Sequence, residues 1–289
     1  MNKFIEYPSI ENHYREEQIE KIRSHGYDKV EWVATEKVHG ANFSLWPIDG
    51  QVKPAKRSGF ADGSFYGCQA IVEGLTPNIL KLNKVVCGEI FGNGVQKGVD
   101  YGPKRFAAFD IMDNGQFVDY DTFISLCDTH GIERCVELGR GSFEEVLAIN
   151  EDFVTKMSSV GAQDKAEGFV MKPVQPLFYS SGARVILKKK TTAFKEQSEG
   201  PKIKVPVELT DLQKEVFEHC SQYINSERVA SAVSKLGKQE KFNVVRDEVL
   251  RDVFAEMSKD KTVDESTWKS INKQVGDILN PLIREALFK

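Results

Sequence analysis

Residues 31–46 have the sequence EWVATEKVHGANFSLW, in which four polar side chains fall within residues 36–42. Residues 32–34 predict the end of one strand, and residues 42–46 the start of the next. Between them, Lys37 is expected near the base of a cleft, where burial penalises an ammonium group and frees its lone pair for attack. Gly40 allows a tight turn and close approach to a ligand. A solvated lysine in an exposed hairpin is the alternative interpretation, because short matches of this kind are common.

Length and composition predict a globular protein. The 289 residues are 40% hydrophobic and 28% charged, which is enough for one large or two ordinary domains. No apolar run approaches the roughly 20 residues that span a bilayer, and the first residues lack the pattern of a secretory signal or an Arg/Ser-rich presequence. These features predict a protein with no membrane partner.

The five cysteines are scattered and never spaced as Cys-x-x-Cys. This pattern argues against a disulfide framework and against a zinc site. It fits a reducing compartment, so we expect a cytoplasmic protein, with a virus-encoded protein acting in the host cytoplasm as one version of that location. The sequence shows no coiled-coil pattern that would indicate obligate assembly, so we expect a monomer.

The net charge of −4 does not by itself indicate a nucleic-acid-binding protein. Residues 184–204, however, carry seven basic side chains against two acidic ones, and such a local excess can hold phosphates. A solvated basic loop is the alternative. The basic residues are Arg184, Lys188, Lys189, Lys190, Lys195, Lys202 and Lys204.

Short runs of apolar residues predict a mixed first part of the chain. Residues 11–26 predict a helix that ends at Gly26, and residues 29–104 predict mainly short strands. Two further helices are expected at 120–130 and 142–149. Strands are expected at 85–92, 105–111, 116–118, 167–172 and 184–190.

The composition changes near Pro201–Pro206, which predicts a linker. Beyond it the pattern is helical. Thr210 and Gln213 match a capping box, and Gly237 predicts a helix end. Pro281 predicts a kink or a division of the last helix. The apolar stripes indicate core packing of a small helical domain. They comprise Leu212, Val216, Cys220, Tyr223, Val229, Val233, Leu236, Phe242, Val245, Val249, Val253, Met257, Trp268, Ile271, Val275 and Ile278.

Five further segments carry residue types that suit phosphate and nucleotide chemistry. They are AKRSG at 55–59, GEIFG at 88–92, FAAFDI at 106–111, KAEGFVMKP at 165–173 and VILKKKTTAF at 185–194. A planar guanidinium can grip two phosphate oxygens, and an aromatic ring stacked on a base contributes roughly 1–3 kcal/mol. Strand alternation places Lys188 and Lys190 on one face and Lys189 on the other, so the paired ammonium groups require an anion between them.

Together with residues 36–42, these ordered segments resemble the motifs of the covalent nucleotidyltransferases: ATP-dependent DNA ligases, RNA ligases and mRNA-capping guanylyltransferases. DNA ligases and capping enzymes usually have Asp and Arg at the positions of His39 and Asn42. The form Lys-x-His-Gly-x-Asn-Phe resembles instead the double-strand, nick-sealing RNA ligases, which include the phage RNA ligase 2 type and the kinetoplastid RNA-editing ligases.

The resemblance implies a role for each matched residue. Lys37 is the nucleophile that forms a lysyl-AMP, and Glu89 accepts hydrogen bonds from the ribose. Phe109 stacks on the purine, whereas Phe106 is a core residue. Arg57 contacts the nucleotide phosphate and helps to position the acceptor end. Glu167 is the implied ligand of Mg²⁺ or Mn²⁺. The implied nucleotide-binding residues are Glu36, Lys37, Glu89, Phe109, Lys172, Lys188 and Lys190, and the implied catalytic residues are Lys37, Arg57, Lys188, Lys190 and His39. The implied RNA-binding residues are His39, Asn42 and Arg57.

The resemblance also implies the fold class and the reaction. The expected fold is α+β, with an ATP-grasp-like nucleotidyltransferase domain (1–204) of antiparallel sheets around a nucleotide cleft, and an all-helical domain (206–289) that helps to engage the RNA. The expected enzyme is an ATP-dependent ligase of nicked duplex RNA. A capping-type guanylyltransferase and a noncatalytic RNA-binding protein on the same fold are the alternatives. Covalent label from GTP alone would indicate the guanylyltransferase, and no label from ATP or GTP would indicate the noncatalytic RNA-binding protein.

Overall fold

The computed structural model describes residues 4–194, 210–237, 241–259 and 263–288. The chain divides into two compact units, Met1–Ala193 and Phe194–Lys289. Several predictions lie outside the described residues: the domain boundary between residues 204 and 206, the Pro201–Pro206 linker, and the basic residues Lys195, Lys202 and Lys204.

The first unit contains all of the strands that the described residues form, together with four α-helices. The strands are β1 (Glu11–Asn12), β2 (Trp32–Glu36), β3 (Ala41–Ile48), β4 (Gln51–Lys56), β5 (Gly59–Phe60), β6 (Val85–Phe91), β7 (Arg105–Asp113), β8 (Gln116–Phe117), β9 (Glu137–Gly141), β10 (Gly168–Pro173) and β11 (Leu187–Lys190). The helices are α1 (Glu16–Ser24), α2 (Gln69–Leu82), α3 (Tyr120–His130) and α4 (Phe143–Leu147).

The strands form two sheets. The five-stranded sheet has the order β1-β11-β10-β2-β9, and the six-stranded sheet has the order β5-β4-β3-β6-β7-β8. Every pair is antiparallel except β1 with β11, which are parallel. The architecture confirms the predicted α+β class with antiparallel sheets, and the parallel pair is an addition to it.

The strands β2 and β3 belong to different sheets. Residues 37–40 therefore form a crossover turn from the five-stranded to the six-stranded sheet, and the alternative of an exposed hairpin is wrong. Val38 and Ala41 are buried, and Lys37 is partly buried. The turn that carries the predicted nucleophile is thus enclosed by both sheets.

Two helices of the first unit differ from the sequence-based expectation. The first helix begins at Glu16 rather than at residue 11, because Glu11 and Asn12 pair with β11. The helix α2 was missed, since Gly74 and Pro77 interrupt its apolar pattern. Its inner face packs into the core through Ile79 and Leu82, and this burial stabilises the helix despite its glycine and proline.

The second unit has its own hydrophobic core and contains α5 (Asp211–Gln222), α6 (Ser226–Leu236), α7 (Phe242–Lys259) and α8 (Glu265–Phe288). The capping box of Thr210 and Gln213 is present, and α6 ends before Gly237 as predicted. Leu212 is exposed rather than part of the core, and α8 continues through Pro281 without division. None of the helices in the described ranges is long and apolar enough to cross a membrane.

Candidate active site

The crossover turn is held against both sheets. The Lys37 amide donates to the Gly168 carbonyl oxygen at 2.9 Å, which fastens the turn to the five-stranded sheet. On the other side, a Cβ added to Gly40 would lie 2.3 Å from the Ile90 carbonyl oxygen and 2.8 Å from the Glu89 Cγ. Only glycine permits this approach to β6. The backbone on both sides of Lys37 is therefore tightly placed.

Glu167 joins three of the predicted site residues. Its Oε2 lies 2.9 Å from Lys37 Nζ and 3.3 Å from His39 Nδ1, and its Oε1 lies 2.8 Å from Lys190 Nζ. Glu167 immediately precedes β10, and Lys190 ends β11, so neighbouring strands of one sheet supply the pair. The structure thus brings together Lys37, His39, Glu167 and Lys190, which are far apart in the sequence.

Two carboxyl groups at this cluster have pKa values that are shifted in opposite directions. Burial opposes ionisation of Glu167, but the ammonium groups of Lys190 and Lys37 outweigh it and hold the pKa of Glu167 well below its usual range. Burial raises the pKa of Glu89 to about 8, helped by the negative charge of Glu167 and opposed by Lys37 and Lys190. The site therefore holds one firmly ionised carboxylate beside one that protonates easily.

The carboxylate that was predicted to bind Mg²⁺ has lysine contacts on both of its oxygens. Glu167 accepts from Lys37 on one oxygen and from Lys190 on the other. The described residues contain no group of three or more His, Cys, Asp or Glu side chains that could hold a metal ion. Mg²⁺ typically takes one or two carboxylates and completes its shell with water and substrate phosphates. A metal ion at Glu167 would have to displace one of the two lysine contacts, and the metal role of Glu167 stays a prediction.

The two lysines of the fifth segment face as predicted relative to Lys189. Lys190 Nζ contacts Glu167, whereas Lys189 Nζ donates to the Leu147 and Ile149 carbonyl oxygens at 3.1 and 3.0 Å on the opposite face. Lys188 lies two residues before Lys190 in β11 and shares its face. The contacts confirm that Lys189 and Lys190 point to opposite faces of β11, and strand alternation assigns Lys188 to the face of Lys190.

A β-bulge in β7 shapes the position predicted to bind the base. The register between β6 and β7 shifts after Cys87, so that Phe109 has no partner of its own in β6. The Phe109 ring lies 4.9 Å from the Tyr7 ring, and the neighbouring Asp110 accepts from the Tyr7 hydroxyl at 2.5 Å. The half-buried ring of Phe109 and the buried carboxylate of Asp110 thus both contact Tyr7 at the bulge.

Asp110 is the centre of a buried ion-pair cluster that the sequence analysis did not predict. Its Oδ1 lies 2.6 Å from Lys172 Nζ, and its Oδ2 lies 2.8 Å from Arg184 Nη1. Lys172 also donates to the Phe109 carbonyl oxygen at 2.7 Å. The ammonium of Lys172 therefore supports the backbone of the predicted base-binding position. Arg184, which was counted with the basic segment, is buried and does not belong to a solvated loop.

Two of the predicted RNA-binding residues lie apart from the Glu167 contacts. Arg57 follows β4, and its guanidinium contacts the N-terminal segment through Glu6 (3.5 Å) and Ser9 (2.8 Å). Asn42 lies opposite Glu89 in the ladder of β3 and β6. Their roles toward phosphate and RNA stay predictions.

Glu36 is almost completely buried, with 1% of its surface exposed. Its carboxylate accepts from the Thr155 hydroxyl and from the Lys156 amide, the latter at 2.8 Å. Burial raises the pKa of Glu36, while these hydrogen bonds oppose the rise. The predicted nucleotide-binding role of Glu36 is untested, and its carboxylate is engaged by residues 155 and 156.

Gly168→Ala is expected to destabilise the first unit and to disturb the Glu167 cluster. Gly168 has a φ of +135°, and an added Cβ would lie 2.0 Å from the Lys189 carbonyl oxygen. Backbone strain costs about 1–3 kcal/mol, and this clash adds to it. Urea denaturation measures the loss. Gly182→Ala is the matched control, since Gly182 has a φ of +82° with no atom within 4 Å of the added Cβ. An equal loss in both variants would contradict the prediction.

The chain matches one described family over most of the first unit. Residues 30–190 match the family described as RNA ligase, and residues 207–286 match the one described as T4 RNA ligase 2 C-terminal. The first match alone covers more than half of the 289 residues. The chain belongs to the RNA ligase family, which confirms the predicted family and the predicted class of enzyme.

Two curated relatives have similar sequences. The mitochondrial RNA-editing ligase 2 of Trypanosoma brucei brucei is 25% identical over 348 residues, covering 89% of this chain and 83% of the relative. The mitochondrial RNA-editing ligase 1 of the same organism is 26% identical over 250 residues, covering 63% of this chain and 53% of the relative. Both relatives are described as mitochondrial, which does not test the cytoplasmic location predicted for this chain.

Solved structures share the fold. A variant of the Naegleria gruberi RNA ligase with ATP and Mn aligns with a TM-score of 0.54 at 18% identity, over 67% of this chain and 58% of that chain. The same ligase with PPi aligns with a TM-score of 0.52 at 18% identity over the same shares. This chain thus spans a little over half the length of those solved chains. The likeness confirms the predicted nucleotidyltransferase fold.

Proposed function

We propose that this chain is an ATP-dependent RNA ligase that joins 3′-hydroxyl and 5′-phosphate ends at nicks in duplex RNA. The observation that supports it most is the contact of Glu167 with Lys37 and Lys190 at the crossover between the sheets. A partly buried primary amine beside a second ammonium group suits attack on a phosphate. The Naegleria gruberi ligase solved with ATP and Mn supports ATP as a substrate, and the two RNA-editing ligases support RNA as the other substrate.

In the first step, Lys37 Nζ attacks the α-phosphorus of ATP. The Lys37 ammonium first loses a proton to solvent. The free amine then forms the N–P bond, the bond to the bridging oxygen breaks, pyrophosphate leaves with that electron pair, and the nitrogen loses its second proton to solvent. Glu167 holds the Lys37 amine in position until phosphate displaces the contact, and its second oxygen orients Lys190. Lys190 and Lys188 then face the negative charge that develops on the phosphate oxygens. A bound Mg²⁺ or Mn²⁺ would offset phosphate charge and orient the leaving group.

In the later steps, the AMP moves from Lys37 to the 5′-phosphate at the nick, and the 3′-hydroxyl displaces AMP to close the phosphodiester. Arg57 lies outside the Glu167 contacts, and we assign it to the RNA phosphate and the acceptor end. Asn42 is assigned to the RNA strand. The helical unit is proposed to engage the duplex, and the protein is proposed to act as a monomer in the cytoplasm.

Covalent label transfer tests this proposal. The protein is incubated with Mg²⁺ and α-phosphate-labelled ATP, and separately with labelled GTP, and is then run on denaturing gels. Label from ATP supports the ligase, and nicked RNA and DNA duplexes then identify the strand that is sealed. Label only from GTP would transfer the assignment to capping chemistry. Absence of label from both, with mass spectrometry showing unadenylylated protein, would favour the noncatalytic RNA-binding protein.

His39→Ala is expected to slow sealing more than it slows lysyl-AMP formation. Lys37 and Lys190 keep their contacts with Glu167 in this variant, so the first step should fall by less than about tenfold, whereas sealing should fall by about 10²-fold. Single-turnover assays of the two steps measure this. His25→Ala, at the exposed end of α1, is the control. Equal losses in both steps would refute the assignment of His39 to the later steps.

A further inference from the structure

Residues 154–165 form a closed loop whose last residue lies two positions before Glu167. Val154 and Lys165 form an antiparallel bridge. The Thr155 amide donates to the Asp164 carbonyl oxygen at 2.9 Å, and the Ala166 amide donates to the Phe153 carbonyl oxygen at 2.9 Å. The base of the 154–165 loop is therefore fixed by backbone hydrogen bonds, and the chain leads from this base to Glu167.

The loop contacts the residue before Lys37. The Thr155 hydroxyl and the Lys156 amide both donate to the Glu36 carboxylate. Thr155 is 6% exposed and Glu36 1% exposed, so water does not compete strongly for these hydrogen bonds. A hydrogen bond to a charged group in such a place is stronger than one at the surface. The backbone at Glu36 is therefore held by the loop.

The loop also reaches His39, two residues after Lys37, through Tyr101. The Tyr101 hydroxyl accepts from the His39 amide at 2.9 Å, and the Tyr101 ring packs edge-on against Phe91 with centroids 5.1 Å apart. The Tyr101 carbonyl oxygen accepts from Ser159 in the loop, from its amide at 3.2 Å and its hydroxyl at 3.0 Å. The loop, Tyr101 and the crossover turn thus form one continuous set of hydrogen bonds.

We infer that the 154–165 loop positions Lys37 from both sides of the chain, through Thr155 on Glu36 and through Tyr101 on His39. Thr155 and Tyr101 are positioning residues, since Thr155 contacts the side chain of Glu36 and Tyr101 contacts the amide of His39, and neither contact is with Lys37 itself. The inference rests on the proposed role of Lys37 as nucleophile. An attacking atom that is displaced by about 1 Å can lose about 10²-fold in rate, so loosening either side should slow the first step.

Three variants test the rate of the first step. Thr155→Val keeps the shape but removes the hydroxyl, Thr155→Ser keeps the hydroxyl, and Tyr101→Phe removes the acceptor of the His39 amide. In single-turnover assays with labelled ATP, we expect Thr155→Val and Tyr101→Phe to slow lysyl-AMP formation about 10- to 100-fold. Thr155→Ser should stay within about threefold of the wild type, because the hydrogen bond is restored.

A purely structural role would predict a different pattern, in which every step falls with the melting temperature. Sealing of a nick whose 5′ end already carries AMP does not require attack by Lys37. It should therefore stay within about threefold of the wild type in the two Thr155 variants, because the loosened nucleophile is not used. Tyr101→Phe also releases the His39 amide, and His39 is assigned to sealing, so this variant tests the first step alone. Thr76→Val, which removes a hydroxyl bond within α2, and Tyr27→Phe, which removes a hydroxyl bond to Phe178, are matched controls. Parallel losses in both steps of Thr155→Val would overturn the inference.

Hydrogen exchange gives a readout that does not depend on activity. The His39 amide should exchange at least about fivefold faster in Tyr101→Phe and in Thr155→Val, because both lose a bond in the same set. Unchanged exchange in Thr155→Val would overturn the inference. If the wild type takes no label from ATP while the exchange rates change as expected, the proposed function fails and the positioning of the turn by the loop stands. If the wild type is labelled and the variants match it, the inference fails alone.

Discussion

Replacing Lys37 by alanine is expected to abolish transfer of AMP from ATP to the protein, lowering the rate by at least about 10⁴-fold. Lys190, the other ammonium group on Glu167, is held at the far oxygen of that carboxylate, so it does not occupy the place of the Lys37 amine. Losing the nucleophile removes the covalent step rather than weakening it. Denaturing gels after incubation with labelled ATP measure the change.

The same variant should still seal a nick that already carries AMP, within about tenfold of the wild type, because that step uses the 3′-hydroxyl as nucleophile. This second assay separates loss of the nucleophile from loss of folding. Lys84→Ala is the matched control, since Lys84 pairs with Asp113 away from the Glu167 cluster and should be labelled normally. Retained label in Lys37→Ala would show that another residue is the nucleophile.

Asp110→Asn is expected to lower the free energy of unfolding of the first unit by about 3–5 kcal/mol. The substitution keeps the shape but removes the charge that Lys172 and Arg184 share at 2.6 and 2.8 Å, and it leaves two buried cations close together. Urea denaturation followed by the fluorescence of Trp32 and Trp46, both buried in the first unit, measures the loss.

The matched control for this prediction lies on the same strand. Asp113 pairs with Lys84, and both side chains are partly exposed, so Asp113→Asn should cost only about 0–1 kcal/mol. A similar loss in the two variants would show that the buried ion pairs of Asp110 contribute no more to the free energy of unfolding than the exposed pair of Asp113. If Phe109 binds the base, Asp110→Asn should also weaken ATP binding, because Lys172 supports the Phe109 carbonyl.

The difference between wild type and Asp110→Asn should depend on pH. Burial alone would raise the pKa of Asp110, but Arg184 and Lys172 outweigh it and hold the pKa far below its usual value of 3.8. A carboxyl group with a lowered pKa in the folded state contributes stability above its unfolded pKa, and that contribution declines as the pH falls toward the folded value. The difference should therefore be full at neutral pH and shrink below about pH 4. A constant difference across this range would contradict the ion-pair explanation.

The chemistry of the site could be predicted from short motifs, whereas its geometry could not. Residues 36–42 identified Lys37, and strand alternation correctly separated Lys189 from Lys190. The same residues did not show that β2 and β3 belong to different sheets, since a crossover and a hairpin both need a tight turn between apolar strands. Strand partners depend on contacts distant in sequence, which local pattern does not encode.

The buried cluster at Asp110 had a partial signal. A charged Asp110 inside the apolar run of β7, and Arg184 before the apolar residues 185–187, both indicate that a partner is needed. The β-bulge at Phe109 and Asp110 was not encoded by a glycine or proline, so the placement of these two residues could not be foreseen. The loop contact with Glu36 was missed because residues 154–165 have no periodic pattern.

The order of the site residues along the chain has a consequence for synthesis. Lys37 emerges from the ribosome early, whereas Glu167, which contacts its Nζ, and Lys190, which contacts the other oxygen of Glu167, emerge near the end of the first unit. A growing chain that stops before β11 contains the Lys37 amine without the complete set of charges around it. The Glu167 cluster is therefore complete only once the last strand has been made, and on the proposed mechanism incomplete products of translation should not trap nucleotides.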